Sequence, residues 1–221
     1  MEIRLENVCY EYQTKFQRVP AVQNVSYTFE SGRMYAIMGV SGSGKTTLLS
    51  AMAGLKLPTA GDIVVDGENT KTTDCCRLRR ETVSVIYQDF NLFPLLTVEE
   101  NVQYPLTIRK VPKAEAAALA HDCLGKVGIV PGQYGRMPRM LSGGEQQRVA
   151  IARALATGSK VLLADEPTGN LDRKNSANII GILKTLAHEQ DHCVIIVTHN
   201  PAVAEQADVC LTMEDGMLLQ D

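Results

Sequence analysis

The chain lacks any apolar run approaching the ~20 residues that a membrane-spanning helix requires. Its first residues, Met1 to Val8, alternate as a strand does, so no apolar signal run opens the sequence either. Both absences predict a chain that does not cross a membrane by itself. Excess positive charge is also missing: 22 Lys+Arg stand against 25 Asp+Glu, a formal net charge of -3, with no lysine- or arginine-rich run. No nucleic-acid partner is expected, because no positive field would draw the chain onto a phosphate backbone. The six cysteines, Cys9, Cys75, Cys76, Cys123, Cys193 and Cys210, contain no repeated pair at metal-ligand spacing. Only Cys75 and Cys76 are neighbours, a spacing that strains a disulfide, so free thiols in the reducing cytoplasm are expected. There is no internal repeat and no low-complexity linker. What remains is 221 residues, 45% hydrophobic and 21% charged, enough for one globular unit with an internal lobe and a core that needs no staples.

Periodicity divides the chain into a strand-rich part and a helical part. Residues 2–9 and 22–29 alternate as two half-exposed strands, and the polar stretch Tyr12 to Pro20 between them reads as a loop. Met34 to Met38 is a short apolar strand that runs into a glycine-rich loop and then a helix over Leu48 to Ala53. Ala60 to Val65 is a strand ending at the hairpin pair Asp66-Gly67, and Val83 to Tyr87 is another. From Gln88 to about Gly158 the texture turns helical: Thr97 can cap a helix with Glu99 and Glu100 in its first turn, and Lys113 to Val127 is alanine-rich. Pro131 to Pro138 reads as a loop, and Glu145 to Ala156 as a helix. Strands return at Val161 to Ala164 and Cys193 to Val197, separated by an amphipathic helix over Asn175 to Glu189. The chain closes on strands Val209 to Met213 and Gly216 to Leu219 around a hairpin signal, Glu214-Asp215-Gly216. Fully apolar strands each followed by a helix predict an α/β fold whose central sheet is mostly parallel and covered on both faces, with a helical lobe inserted in it.

Three stretches carry chemistry. Gly39 to Thr46 fits G-x-x-x-x-G-K-[ST] between a strand and a helix, the context in which that pattern cradles phosphates. Glycines let backbone N–H groups turn inward, Lys45 can reach the β- and γ-phosphates, and the Thr46 hydroxyl suits Mg²⁺. The expected nucleotide contacts are therefore Gly39, Ser41, Gly42, Ser43, Gly44, Lys45, Thr46 and Thr47. Val161 to Glu166 is an apolar strand that delivers two carboxylates to a sheet edge. Asp165 is expected to hold Mg²⁺ through water, leaving Glu166 to orient or deprotonate an attacking water. Leu141-Ser142-Gly143-Gly144-Glu145 is a second anion cradle at a helix start. One ATP needs one cradle around its phosphates, so the second makes sense if it serves a nucleotide held by another copy.

These motifs together resemble the ATPase subunit of ABC transporters, and the resemblance runs through essentially the whole chain. It includes Gly39 to Thr46, Gln88 after its strand, Leu141 to Glu145, Asp165-Glu166, the turn Asn170-Leu171-Asp172, and His199. Gln88 to Val102 is similar to the branch that serves lipoprotein release, macrolide export and antimicrobial-peptide export or resistance. The resemblance implies a P-loop NTPase with an N-terminal antiparallel β subdomain. Residues 1–88 and 156–221 would form the core with that subdomain, and 89–155 the helical subdomain. It also implies Tyr12 stacked on adenine, with Tyr10 as the other candidate. Gln88 would approach Mg²⁺ and the attacking water, Glu166 would be the general base, and His199 would contact the γ-phosphate. Ser142, Gly143 and Gly144 would close over the γ-phosphate bound to the opposite copy, and Asp172 would belong to the turn that links the two sites. At that turn the family commonly carries alanine where this chain has Asn170, a change that can add a hydrogen bond.

The function so implied is Mg-ATP binding and hydrolysis at a head-to-tail dimer interface, coupled to export or other extracytoplasmic work. The partner would be a membrane subunit with few spans and a large extracytoplasmic domain, and the chain would sit on the inner face of the cell membrane. The alternative from the same branch is an ATPase that regulates an extracytoplasmic process without transport, as cell-division relatives do. Phe90, Phe93, Pro94 and Leu95 are either contacts with that partner or small-core residues. An ATPase acting on ribosomes or DNA is disfavoured, because neither a second cassette nor a long coiled-coil insertion is present.

Overall fold

A computed structural model of the chain describes residues 1–15 and 17–220, with Phe16, Asp221 and the side chain of Gln220 outside the described set. In chain order the elements are β1 (Glu2–Gln13), β2 (Arg18–Glu30), β3 (Met34–Met38), α1 (Lys45–Met52), β4 (Ala60–Val65), β5 (Glu68–Asn69), α2 (Cys75–Glu81) and β6 (Val83–Ile86). There follow α3 (Val98–Ile108), α4 (Lys113–Lys126), α5 (Gly143–Ala156), β7 (Val161–Asp165), α6 (Arg173–Gln190), β8 (Cys193–Thr198), α7 (Pro201–Ala204), β9 (Val209–Glu214) and β10 (Met217–Gln220). The strands form two sheets. One is antiparallel, in the order β2-β1-β4-β5; the other has the order β10-β9-β3-β8-β7-β6. In the second sheet β9, β3, β8, β7 and β6 are parallel and only the edge strand β10 is antiparallel. This is the P-loop NTPase fold, with its N-terminal antiparallel subdomain and inserted helices.

The parallel strands are apolar on both sides because both sides are covered. Met34, Leu162, Ala164, Val194 and Ile196 point into a core shared with α5, α6 and the inserted helices. Their alternates Tyr35, Ile37, Val161, Leu163, Ile195 and Val197 point into a second core beneath α1 and the antiparallel sheet. Period-two alternation between two dry faces is why β7 and β8 read as unbroken hydrophobic runs. Each fully buried aliphatic side chain there contributes roughly 1.5–3 kcal/mol of transfer free energy.

The stretch Tyr12 to Pro20 is not the loop its polarity suggests. β1 continues to Gln13 and β2 starts at Arg18, pairing Tyr12 with Val19 and Glu11 with Pro20. β2 is the edge strand of its sheet, where a proline costs no ladder hydrogen bond. The described residues of this stretch are exposed and carry no apolar alternation, and the ladder ahead of it is irregular, with register shifts between Leu5 and Glu11 and Asn7 and Asn24 at a φ of 49°. The stretch Pro131 to Pro138, read as a loop, contains two short 3-10 turns, Pro131–Gln133 and Pro138–Met140, each opened by its proline. Helix α2 had no apolar periodicity to announce it, since only Leu78 is buried; Asp74 caps it by accepting from the Cys76 N–H. The hairpin expected at Asp66-Gly67 joins β4 to the two-residue β5, with φ of 49° and 82° at the turn.

The inserted helices are fixed to the sheet through the segment after β6. Thr97 and Glu100 form a reciprocal capping box at the start of α3. One turn on, Asn101 is fully buried: its amide donates to the carbonyls of Phe93, Leu96 and Thr97 at 3.1, 3.0 and 2.9 Å, and its oxygen accepts from the Phe93 N–H at 2.8 Å. A single side chain thus replaces the backbone partners that the loop ahead of α3 lacks. Asn101→Ala strands several of those groups and should destabilise the protein by about 2 kcal/mol. The check is urea unfolding, with the midpoint falling at unchanged slope; an unaltered midpoint would show that water replaces the side chain.

Candidate active site

Because β3, β6, β7 and β8 run in the same direction, their carboxyl ends emerge along one edge of the sheet, the usual place for a ligand in such a fold. Residues 39–44 leave β3, Gln88 follows β6, Glu166 follows β7 and His199 follows β8. Between them lies a cavity of about 780 Å³ whose wall includes Tyr12, Ser41, Gly42, Gly44, Lys45, Thr46, Thr47, Gln88, Asp165, Glu166 and His199.

The loop after β3 is wrapped closely by its surroundings. A Cβ on Gly39 would lie 2.3 Å from the Met213 carbonyl oxygen, and one on Gly44, at φ 105°, would lie 2.1 Å from that of Ala21. Only glycine fits either place. Helix α1 begins directly after Gly44 with no side chain capping its N-terminus. Its first N–H groups and the positive end of its dipole are therefore offered to an anion. The Lys45 ammonium donates to the carbonyls of Gly39 and Val40 at 2.7 and 2.8 Å and lies 3.5 Å from the Ser43 hydroxyl. Burial lowers the Lys45 pKa, while Glu166 and Asp165 pull it back up.

Opposite the loop stand two carboxylates with different surroundings. Asp165 accepts from the Thr46 hydroxyl at 3.2 Å. Burial raises its pKa; the Thr46 hydrogen bond opposes that, the Glu166 charge adds to it and Lys45 counters. A carboxylate held partly out of water beside a hydroxyl is a hard-oxygen pair whose burial the Lys45 charge offsets only in part. That donor set fits Mg²⁺, and the Gln88 side chain in the same wall adds a neutral oxygen. Glu166 sits at φ 46°, a left-handed conformation that is strained for a residue with a side chain. Its carboxylate meets His199 Nδ1 at 2.6 Å through one oxygen and accepts from the Thr198 hydroxyl at 3.1 Å through the other. The Glu166 side chain is 16% exposed and that of His199 69%, so the pair reaches from the wall into the open mouth.

At the far end, the Tyr12 hydroxyl is 2.9 Å from the Thr47 hydroxyl, and that hydrogen bond is the leading cause of its lowered pKa. Lys56 Nζ lies 4.5 Å above the Tyr12 ring. Tyr12 lines the cavity, whereas Tyr10 stands edge-on behind it at 5.2 Å.

The remaining predicted residues lie elsewhere. Gly39 and Ser43 support the loop from behind the cavity wall through the Lys45 contacts. Ser142 caps α5: its hydroxyl donates to the Glu145 carboxylate at 2.7 Å and accepts from the Glu145 N–H at 3.4 Å. Gly143 packs against Leu171, and a Cβ on Gly144 would collide with Asn175. Asp172 caps α6, its carboxylate accepting from the Asn175 N–H at 2.9 Å and held below the usual carboxylate range by that contact. None of Ser142, Gly143, Gly144 and Asp172 lines the cavity of their own chain.

Sequence reasoning missed Val19, Pro20, Ala21 and Val40 in the cavity wall, and Thr198 behind Glu166. The first three belong to the β2 edge strand, of which Val19 and Pro20 fall in the stretch that reads as a loop and Ala21 in no element expected from the sequence. Thr198 had a signal, a polar residue closing an otherwise apolar strand directly before His199.

Comparison with known proteins agrees with this geometry. The sequence model described as ABC transporter matches residues 22–169. The macrolide export ATP-binding/permease protein MacB of Brucella melitensis is 38% identical over 222 residues, which is 99% of this chain and 34% of that protein. The chain therefore spans about a third of the length of this relative. An uncharacterized ABC transporter ATP-binding protein, YclH of Bacillus subtilis, is 38% identical over 214 residues, covering 97% of this chain and 94% of that one. Among solved structures, the dimeric structure of MJ0796, a bacterial ABC transporter cassette, superposes with a TM-score of 0.89 at 37% identity, covering 98% of this chain and 96% of that chain. No helix among the described residues is long and apolar enough to cross a membrane. On the fold, the cavity and these relatives together, the chain belongs to the ABC transporter family as an ATP-binding domain.

Proposed function

We propose that the chain binds and hydrolyses Mg-ATP between two copies of itself and passes the cycle to a membrane subunit that performs export or other extracytoplasmic work. The observation that carries this reading is the single cavity in which Lys45, the Thr46–Asp165 pair and the Glu166–His199 pair face one another. The N–H groups at the start of α1 and the Lys45 ammonium hold the β- and γ-phosphates. Thr46, Asp165 and Gln88 are the residues that would hold Mg²⁺, which when bound neutralises charge on the transferred phosphoryl group. Glu166 accepts the proton of the attacking water, with its carboxylate kept in place by Thr198 and His199. His199, mostly exposed at the mouth, is free to meet the γ-phosphate. Tyr12 offers its ring to the adenine.

Ser142, Gly143, Gly144 and Asp172 act in this reading on the nucleotide of the second copy, which is supported by none of them lining the cavity of their own chain. The dimeric MJ0796 cassette is the arrangement we take as the guide. We further propose residues 1–88 and 156–221 as the core and 89–155 as the lobe that moves against it.

The membrane partner fits a groove of about 340 Å³ between core and lobe, lined by Arg79, Tyr87, Phe93, Tyr104, Ile108 and Arg153 among others. Phe93 is 38% and Leu95 86% exposed, which supports a contact role for them. Phe90 instead is half-buried and packs near Gly143. The macrolide exporter's name suggests one class of cargo, and a partner with few spans and a large extracytoplasmic domain suits that branch. The chain would sit on the cytoplasmic face of the cell membrane.

Glu166→Gln keeps the shape of the site and removes its proton acceptor. Hydrolysis should fall roughly 10²–10⁴-fold, and size-exclusion chromatography with ATP should show a persistent dimer; hydrolysis at the wild-type rate would remove Glu166 from this role. Asp165→Asn gives a test by sign. The raised pKa means that the ionised form of Asp165 costs folding free energy once pH exceeds its unfolded value, so the neutral amide should raise the melting temperature of the nucleotide-free protein. The same change should abolish the further rise that Mg-ATP gives the wild type. A lower melting temperature without nucleotide would contradict the desolvation account.

A further inference from the structure

Segment 87–91, which carries Gln88, has few backbone partners of its own. Phe90 and Asn91 lie at φ of 59° and 47°, outside helix and strand. Side chains supply the missing bonds. Gln147 of α5 reaches the Tyr87 carbonyl at 3.4 Å, and Arg153 of the same helix donates to the carbonyls of Phe90 and Asn91 at 3.0 and 2.6 Å. Gln88 and Asp89 are held from the other side, by Asn170. Its amide nitrogen donates to the Gln88 carbonyl at 3.3 Å and to the Asp89 carboxylate at 3.0 Å, while its oxygen accepts from the Gln88 side-chain amide at 3.3 Å.

A second contact acts on the same side chain. A Cβ placed on Gly169 would lie 2.7 Å from Gln88 Nε2 and 2.9 Å from its Cδ, so the bare backbone of Gly169 is a wall against which Gln88 rests. Gly169 and Asn170 belong to a turn that starts at Glu166, the Gly169 N–H donating to the Glu166 carbonyl at 3.0 Å and the Leu171 N–H to that of Thr168 at 3.1 Å. Glu166 and Gln88 line the same cavity. The turn therefore ties one residue of the cavity wall to another across two strand ends.

We propose that Asn170, with Gly169 beneath it, is a positioning residue that locks the Gln88 carboxamide to the Glu166–Asp172 turn, so that the place of Gln88 at the cavity follows the movement of that turn. The inference rests on the reading that Gln88 serves Mg²⁺ and the attacking water. The amide is the right chemistry, because the site needs a donor for a carbonyl and a carboxylate and an acceptor for an amide at once. Alanine supplies neither, and aspartate would face the Asp89 carboxylate with acceptors only. The plainer account, an exposed asparagine that merely closes a loop, predicts a loss of stability and no selective effect on turnover.

The test uses the full chain. Asn170→Ala should lower kcat for ATP hydrolysis about three- to tenfold with KM for ATP unchanged, the size expected for losing one or two hydrogen bonds that matter at the transition state. Gly169→Ala, by pushing the Gln88 side chain aside, should give the same split. In Gln88→Ala the further change Asn170→Ala should have no added effect, because the two act through one side chain. The side-chain amide resonances of Gln88 in an NMR spectrum should shift and narrow in Asn170→Ala. Multiplying effects in the double variant, a change in KM in place of kcat, or unmoved Gln88 amide resonances would each overturn the lock. Gln88→Ala turning over at the wild-type rate would instead remove the role of Gln88 at the site, and the amide resonances would still decide whether Asn170 holds it.

Discussion

β3, β6, β7 and β8 lie side by side and point the same way, and nearly everything about the site depends on that pairing. Their backbone bonds require the phosphate loop, Gln88, the Asp165-Glu166 pair and His199 to emerge together, although more than 150 residues separate the first from the last. The two dry cores clamp the strands from both faces, so these chain ends cannot drift apart without exposing buried aliphatic surface. A small change in how the helices sit on the sheet is therefore felt at the cavity.

Within that frame the electrostatics are left unbalanced on purpose of the chemistry. Lys45 is turned toward the carbonyls of its own loop, Asp165 is held partly out of water without a full positive partner, and Glu166 occupies a strained backbone conformation to reach His199. The burial of Lys45 and Asp165 and the backbone conformation of Glu166 each cost folding free energy. Around the site, Asn170, Gln147 and Arg153 replace regular backbone bonding in segment 87–91, so the stretch that leads from β6 towards the inserted helices is held by side chains.

Much of the fold was legible because its strongest signals are local. A strand, a glycine-rich loop and a helix at 34–53 could hardly be anything else, and the unbroken apolar runs at 161–164 and 193–197 declared a covered parallel sheet. The cap at Thr97 was readable from Glu99 and Glu100 in the first turn, whereas Ser142 reads as part of an anion cradle and is found in a capping box with Glu145, the helix starting at Gly143 and not at Glu145. The edge strand around Pro20 was not readable, because its described residues are exposed and carry no apolar alternation, and an exposed edge tolerates polar residues and proline. Helices α2 and α7 were too short to show a period. For the site, the identity of the acids and of Lys45 could be read from pattern, but the bonds of Glu166 to Thr198 and of Asn170 to Gln88 join segments 32 and 82 residues apart. Long-range pairings of single side chains leave no periodic trace in a sequence.

The central claim is that a working site is assembled from two copies, and mixing two inactive variants tests it most directly. Glu166→Gln disables the half of the site that holds the water, and Ser142→Arg disables the half offered to the other copy. In a mixed dimer one site receives both defects and the other receives neither, so combining the two inactive preparations should restore ATP hydrolysis in proportion to the mixed dimers formed. If mixed dimers form and hydrolysis stays at the level of the separate variants, the site is complete within one chain and the account is wrong.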